Sequence, residues 1–152
     1  MKFEVMQDRK LAAQIITHPK IWPHVSDDFS GQPGNFVALT SLPVLYIAVK
    51  ENEDLLGLFV ITWENSICWK IHTCLLPETW GRKAKQIGNE LRAWLFSSTN
   101  CHRIVTDVPA NNRLALAFAK SCGMTEYGLN PQSFLKDGQL YDQVLLGVSK
   151  CQ

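Results

Sequence analysis

Residues 2–6 alternate apolar and polar side chains with the two-residue period of a strand. In KLAAQIITHPKIWPHVSDDF, which follows, the apolar spacing predicts a helix over residues 8–17. Pro19 ends or kinks it, because proline has no N–H to give and crowds the residue before it. SGQPGN then reads as a surface loop. From Pro43 the pattern becomes extended. VLYIAVKENEDLLGLFVITWENSICWKIHTCLL holds three β-rich runs separated by turn-like groups at residues 51–54 and 64–66, an antiparallel meander closed by Pro77. The next segment sets Ile87, Leu91, Trp94 and Leu95 three and four apart, the core stripe of a helix, with Glu90 and Arg92 turned away. Residues 103–108 read as a short strand. Residues 111–122 read as a second amphipathic helix, with Ala115, Phe118, Ala119 and Cys122 on one face and Gly123 where a left-handed C-terminal residue belongs. TEYGLNPQSFLKDGQLYDQVLLGVSK supplies two last strands joined at Asp137-Gly138, a strong hairpin signal. Helices thus alternate with a mostly antiparallel sheet in one layered α+β arrangement.

A chain of 152 residues with 46% hydrophobic content is long enough for one proper core and short for two, so residues 1–152 read as a single domain. Fifteen Lys and Arg against fourteen Asp and Glu leave a formal charge of +1. That excludes the broad basic face of a nucleic-acid binder and makes any electrostatic function local. The five cysteines form no CxxC pair and read as reduced, packed thiols, with neither a disulfide frame nor a metal site. His18 and His24 stand six apart across the proline kink, poor spacing for a shared metal, and are assigned to local structure. Trp22, Trp63 and Trp69 read as core aromatics. No apolar run has signal-peptide length or approaches the ~18 residues of a membrane span. The expected location is therefore the cytoplasm, with no membrane partner.

The stretch CLLPETWGRKAKQIGNELRAWLF runs from a buried strand through a tight turn into a helix, with Arg82, Lys83 and Lys85 crowded at the junction. A helix start presents unpaired N–H groups and the positive end of the helix dipole. Three basic side chains beside it make a candidate pyrophosphate site.

The order of elements, together with Asn112, Ala115, Phe118, Gly123 and Met124 at their mutual spacing, resembles the GCN5-related N-acetyltransferase (GNAT) family. The resemblance covers nearly the whole chain. It implies an α+β fold: a mixed, mostly antiparallel sheet of six to seven strands, helices on both faces, and the fourth strand splayed from the fifth near Leu76. Pantetheine would bond the backbone of Cys74, Leu75 and Leu76. The acetyl-CoA pyrophosphate would lie in the turn formed by Trp80, Gly81, Arg82, Lys83, Ala84 and Lys85, with Asn112 on the later helix. The implied reaction is direct attack of an amine on the bound thioester. His72 is the candidate base, with Glu64 and Glu78 as rivals. The family's usual phosphate turn, R/Q-x-x-G-x-G/A, is degraded here, since Trp80, Lys83 and Lys85 occupy its key positions. Its usual acid, a Tyr seven residues after the motif Asn, is replaced by Ala119, which leaves Tyr127, Tyr141 or water to protonate the thiolate. WKIHTCLLPETWG and VPANN look like the GNAT-like proteins of tailed bacteriophages, some of them labelled head-assembly proteins. That likeness implies a second reading: a catalytically silent module with phage structural proteins as partners, in host cytoplasm or virion. Family members often dimerise, so a homodimer is a further expectation.

Overall fold

In the computed structural model, which describes residues 1–151, the alternating and helical patterns become the elements they predict. Strand β1 (Lys2–Val5) leads into α1 (Arg9–Ile16), capped by the Asp8 carboxylate, which accepts the Leu11 N–H at 3.0 Å. The helix stops at Thr17, whose N–H and hydroxyl both return to the Ala13 carbonyl, two positions short of Pro19. A one-turn helix α2 (Trp22–Val25) follows, which the periodicity does not announce; Pro23 sits in its first turn, where a missing N–H costs nothing. The SGQPGN loop contains a short 3₁₀ turn, Pro33–Asn35.

The meander is β2 (Val44–Glu51), β3 (Asp54–Trp63) and β4 (Cys68–Leu75), paired antiparallel in sequence order. Then come a 3₁₀ turn (Pro77–Thr79), α3 (Arg82–Ser98), β5 (Arg103–Pro109), α4 (Arg113–Ser121), β6 (Thr125–Lys136) and β7 (Gln139–Ser149). Among the described residues they form one seven-stranded sheet in the order β1-β2-β3-β4-β5-β7-β6. The β6–β7 turn takes positive φ at both Asp137 and Gly138, 52° and 73°, as a two-residue hairpin requires.

Two apolar layers hold the helices to the sheet. On one face Ala12, Ile15 and Ile16 of α1 pack on Tyr46, Ala48, Leu58 and Cys74. On the other, Ile87, Leu91 and Leu95 of α3 pack on Phe59, Ile61, Ile104 and Leu146, joined by Ala119 of α4. Burying such side chains contributes about 1.5–3 kcal/mol each, which fixes α3 against the sheet and so fixes where its N-terminus points. Trp94 stands at the margin of this layer, its ring 5.7 Å from that of Phe3. Arg92 does not turn to solvent as the helical stripe implied. Its Nη1 donates to the Cys122 carbonyl at 2.6 Å, placing a cation at the end of α4.

Among the described residues the only parallel pairing is between β4 and β5, and it is brief: Cys68 with Arg103, Trp69 with Ile104, Lys70 with Val105. Beyond Lys70 the two strands separate, well before the Leu76 position where the sequence placed the parting. Each remains fully paired on its other side, β4 with β3 and β5 with β7, so the opening is a wedge within an intact sheet.

Candidate functional site

The phase of the β3–β4 ladder decides which main-chain groups the wedge exposes. Leu76 N–H bonds the Leu56 carbonyl at 2.9 Å, and Glu64 N–H bonds the Cys68 carbonyl at 3.0 Å. Because bonded pairs alternate along an antiparallel ladder, Lys70, His72 and Cys74 turn their peptide groups to β3, while Trp69, Ile71, Thr73 and Leu75 turn theirs the other way. With β5 gone beyond Lys70, the open edge runs from the Ile71 carbonyl through Thr73 to the Leu75 N–H. The expectation for Cys74 and Leu76 is thereby corrected. Cys74 is bonded into β3, and the Leu76 carbonyl is taken by the Thr79 N–H and hydroxyl at 2.9 and 2.7 Å. The main-chain groups that do face the gap are those of Thr73 and the Leu75 N–H. The Leu75 carbonyl receives the Trp80 indole N–H at 2.9 Å, which ties the turn to the strand end.

At Gly81 the chain enters α3 with φ 89° and no side-chain cap. The first helical bond, Lys85 N–H to the Gly81 carbonyl, leaves the N–H groups of Arg82, Lys83 and Ala84 without helical partners. This helix start borders an outer cavity of about 480 Å³ walled by Trp80, Gly81, Arg82, Ala84 and Lys85 on one side and by Ala115, Phe118 and Ser121 of α4 on the other. Lys83 departs from its expected role. Its ammonium lies 2.6 Å from both oxygens of Glu51, and its side chain does not border the cavity. The cationic mouth therefore consists of Arg82 and Lys85, both exposed.

A second, inner cavity of about 190 Å³ lies in the wedge itself, where His72 and Thr73 of β4 face Thr106, Asp107 and Val108 of β5 across the gap. Burial by the surrounding walls pushes the His72 imidazole below its ordinary value; Asp107 pulls the other way and Lys70 adds to the depression. The ring still reaches solvent through the cleft. Lys70 bridges Asp107 and Glu64 at 2.7 and 3.0 Å, so Glu64 is occupied at the base of the wedge. Over the far side, α2 and the β6–β7 turn are stitched together. The Asp28 carboxylate accepts from Asp137 and Gly138 N–H, each at 2.8 Å, and the Lys136 ammonium donates to the Ser26 carbonyl at 2.8 Å.

Of the remaining sequence candidates, Glu78 is exposed on the 3₁₀ turn and borders neither cavity. Tyr127 also lies outside both. Its ring lies under the Arg103 guanidinium at 5.0 Å, and burial raises its hydroxyl above the usual tyrosine value, with Asp107 adding to the rise. Asn112 is the N-cap of α4, accepting from Ala115 N–H at 3.2 Å, and it borders both cavities. His24, assigned from the sequence to local structure, borders both as well, its ring edge-on to Trp80 at 5.9 Å. Nothing in the local sequence could have singled it out, because its neighbours are Trp80, in the turn before α3, and Asn112, the cap of α4. Trp63 and Trp69 are an edge-to-face pair 5.7 Å apart, and Trp22 packs on Phe36, as structural aromatics.

Among the described residues no group of three or more His, Cys, Asp or Glu side chains could hold a metal, and no helix is long and apolar enough to cross a membrane. Cys74, beside the wedge, is buried and its thiol is pushed up to about 12, which removes it as a nucleophile. Thiol titration with a disulfide reagent at pH 8 should accordingly label exposed Cys151 quickly and Cys74 and Cys101 only after unfolding. Fast native labelling of Cys74 would show that the wedge opens far more than this geometry permits.

No protein-family model and no curated protein matches the sequence. The fold, in contrast, is shared with solved structures. Spermidine N-acetyltransferase from Vibrio cholerae in complex with CoA and spermine superposes with a TM-score of 0.78 at 16% identity, over 97% of this chain and 94% of that one. The same protein in complex with manganese ions gives 0.71 at 15% identity, over 97% and 91%. A GNAT-family acetyltransferase from Bacillus anthracis gives 0.59 at 14% identity, over 70% and 66%. The chain therefore has the GNAT fold, with its seven-stranded mixed sheet and its parted β4 and β5. These three neighbours are bacterial enzymes, and they bring no support for a phage subgroup.

Proposed function

We propose that the protein is an acetyl-CoA-dependent N-acetyltransferase. The observation that carries this reading is that the two cavities adjoin, with Thr73 and Asn112 in the walls of both. An anion placed on the free N–H groups of α3, flanked by Arg82 and Lys85, connects past Thr73 and Asn112 to the open edge of β4 and then to His72. A diphosphate suits the first station, an amide-bearing arm the second, and a thioester the third. His72, neutral at pH 7 because of its depressed value, suits removal of a proton from the attacking amine. Oriented attack on a bound thioester then needs little beyond main-chain donors for the oxyanion, and the Thr73 and Leu75 N–H groups point into the gap.

Isothermal calorimetry with CoA and acetyl-CoA, followed by thiol release in the presence of spermidine or a simple primary amine, tests the proposal. Absence of heat and of thermal shift at millimolar ligand would sink it. Within it, Arg82→Ala and Lys85→Ala should each weaken CoA binding about 3- to 5-fold, as befits exposed pairs, and added salt should shrink the difference. Lys83→Ala should leave affinity within about twofold, because its charge is committed to Glu51. An equal loss for all three would mean that general charge, and not this cavity, binds the anion.

A second reading, a catalytically silent GNAT-fold module such as a phage head-assembly protein, is favoured by Ala119, which offers no hydroxyl beside the gap. Binding of CoA without turnover of any amine would support it.

A further inference from the structure

Resting on the acetyltransferase reading, we infer that His24 is the general acid that protonates the departing thiolate. The two cavities adjoin, and five side chains border both: His24, Thr73, Asn112, Ala115 and Phe118. A thioester whose carbonyl reaches the β4 edge, and whose long arm leaves through the outer cavity, has its sulfur beside these shared side chains. Among the described residues His24 is the one titratable group there. Asn112 has its amide engaged at both ends, accepting from Ala115 N–H and donating to the His24 carbonyl at 3.3 Å. A threonine hydroxyl is too weak an acid for the task, and Ala115 and Phe118 have no proton to give.

The imidazole is also held in place. Asn112 grips its backbone from α4, and its ring lies edge-on to Trp80, whose indole N–H is fixed on the Leu75 carbonyl. The turn thus packs on the ring while α4 holds the backbone that carries it, and the side chain remains exposed and can regain a proton from water. The charged or titratable groups that share its cavities are Arg82, Lys85 and Arg92 of α3, His72 of β4, Asp107 of β5 and, at the C-terminal cap of α4, the Cys122 thiol, which burial pushes up and keeps protonated. Asp27 follows nearby on its own segment.

Two histidines share the proton transfers, His72 from β4 and His24 from α2. The amine nitrogen bonds to the acetyl carbon and gives one proton to His72. The carbon–sulfur bond breaks, and the thiolate takes one proton from His24 to leave as free CoA. Solvent then returns His72 to its neutral form and His24 to its protonated form. Turnover should consequently need His72 neutral and His24 protonated, so the profile of kcat against pH has a limb on each side.

The test compares wild type, His24→Gln and His24→Ala for CoA affinity by calorimetry and for thiol release from acetyl-CoA with spermidine and with phenethylamine. Expected are CoA affinities within about threefold of wild type, a kcat lower by about 100-fold, and loss of the high-pH limb in both variants. A kcat within about threefold of wild type with the limb retained would overturn the inference. So would a loss of affinity that accounts for the whole fall in kcat/KM while the pH profile keeps its shape, since His24 would then be only a wall of the cavity. Wild-type protein that binds no CoA, or releases no thiol with either amine, would instead bring down the acetyltransferase reading and this role with it.

Discussion

Replacing His72 by glutamine should lower kcat by about 10²–10⁴, equivalent to about 3–5 kcal/mol of barrier, with CoA affinity unchanged. The direction of its pKa shift adds a second, sharper expectation. Burial holds the folded-state value below 6.5, so the imidazole is neutral throughout the neutral range, and the low-pH limb of kcat should lie beneath 6.5 and vanish in the variant. The same depression acts on stability. Below pH 6.5 the unfolded chain takes up a proton at this position more readily than the folded one. Stability contributed by keeping the ring neutral is therefore fully present above that pH and is lost as pH falls toward the folded-state value. Thermal melts of His72→Gln should lack this part of the acid slope, whatever the acceptor amine turns out to be. A low-pH limb that persists in the variant would assign the proton to another group, and Asp107, across the gap, would be the next to test.

How much of this was legible beforehand depended on how local the determining contact was. The start of α1 near Asp8, the Ile87, Leu91 and Leu95 stripe and the Asp137-Gly138 turn are set by residues a few positions apart, and pattern reading places them correctly. Which peptide groups of β4 face the gap is set by its register with β3. A shift of one residue exchanges every group between the two edges, so Thr73 and Cys74 cannot be told apart without the partner strand. Lys83 and Lys85 look equivalent in sequence, yet a helix turns about 100° per residue, and Glu51 of β2 waits on only one side. His24 is the extreme case. A four-residue helix carries no periodicity, and the group that grips it, Asn112, lies 88 positions further on. The fold was written in local patterns, whereas the site is assembled by contacts that exist only after folding.

Gly57→Ala should be the most damaging small substitution in the chain, because the glycine lets β3 approach the strand end that borders the wedge. It pairs with Leu75 where the β2–β3 register slips, and its φ of +136° is one that L side chains rarely adopt. A Cβ there would stand 2.5 Å from the Cys74 carbonyl oxygen and 2.6 Å from the Leu75 Cα. Both contacts are backbone, so no side chain can swing aside; either β3 or the end of β4 must move. Unfavourable dihedrals and overpacking together cost about 3–5 kcal/mol, a large part of the 5–15 kcal/mol typical of a domain. The melting temperature should fall by about 10 °C or more. The surviving folded protein should also bind acetyl-CoA more weakly, since the Leu75 N–H and the carbonyl that anchors Trp80 shift with the strand. Gly34→Ala is the control: no atom lies within 4 Å of its added Cβ, and its melting temperature should match wild type. A Gly57→Ala protein that melted within about 2 °C of wild type would show that β4 yields freely at its end. The wedge would then be a yielding edge and not a preformed slot.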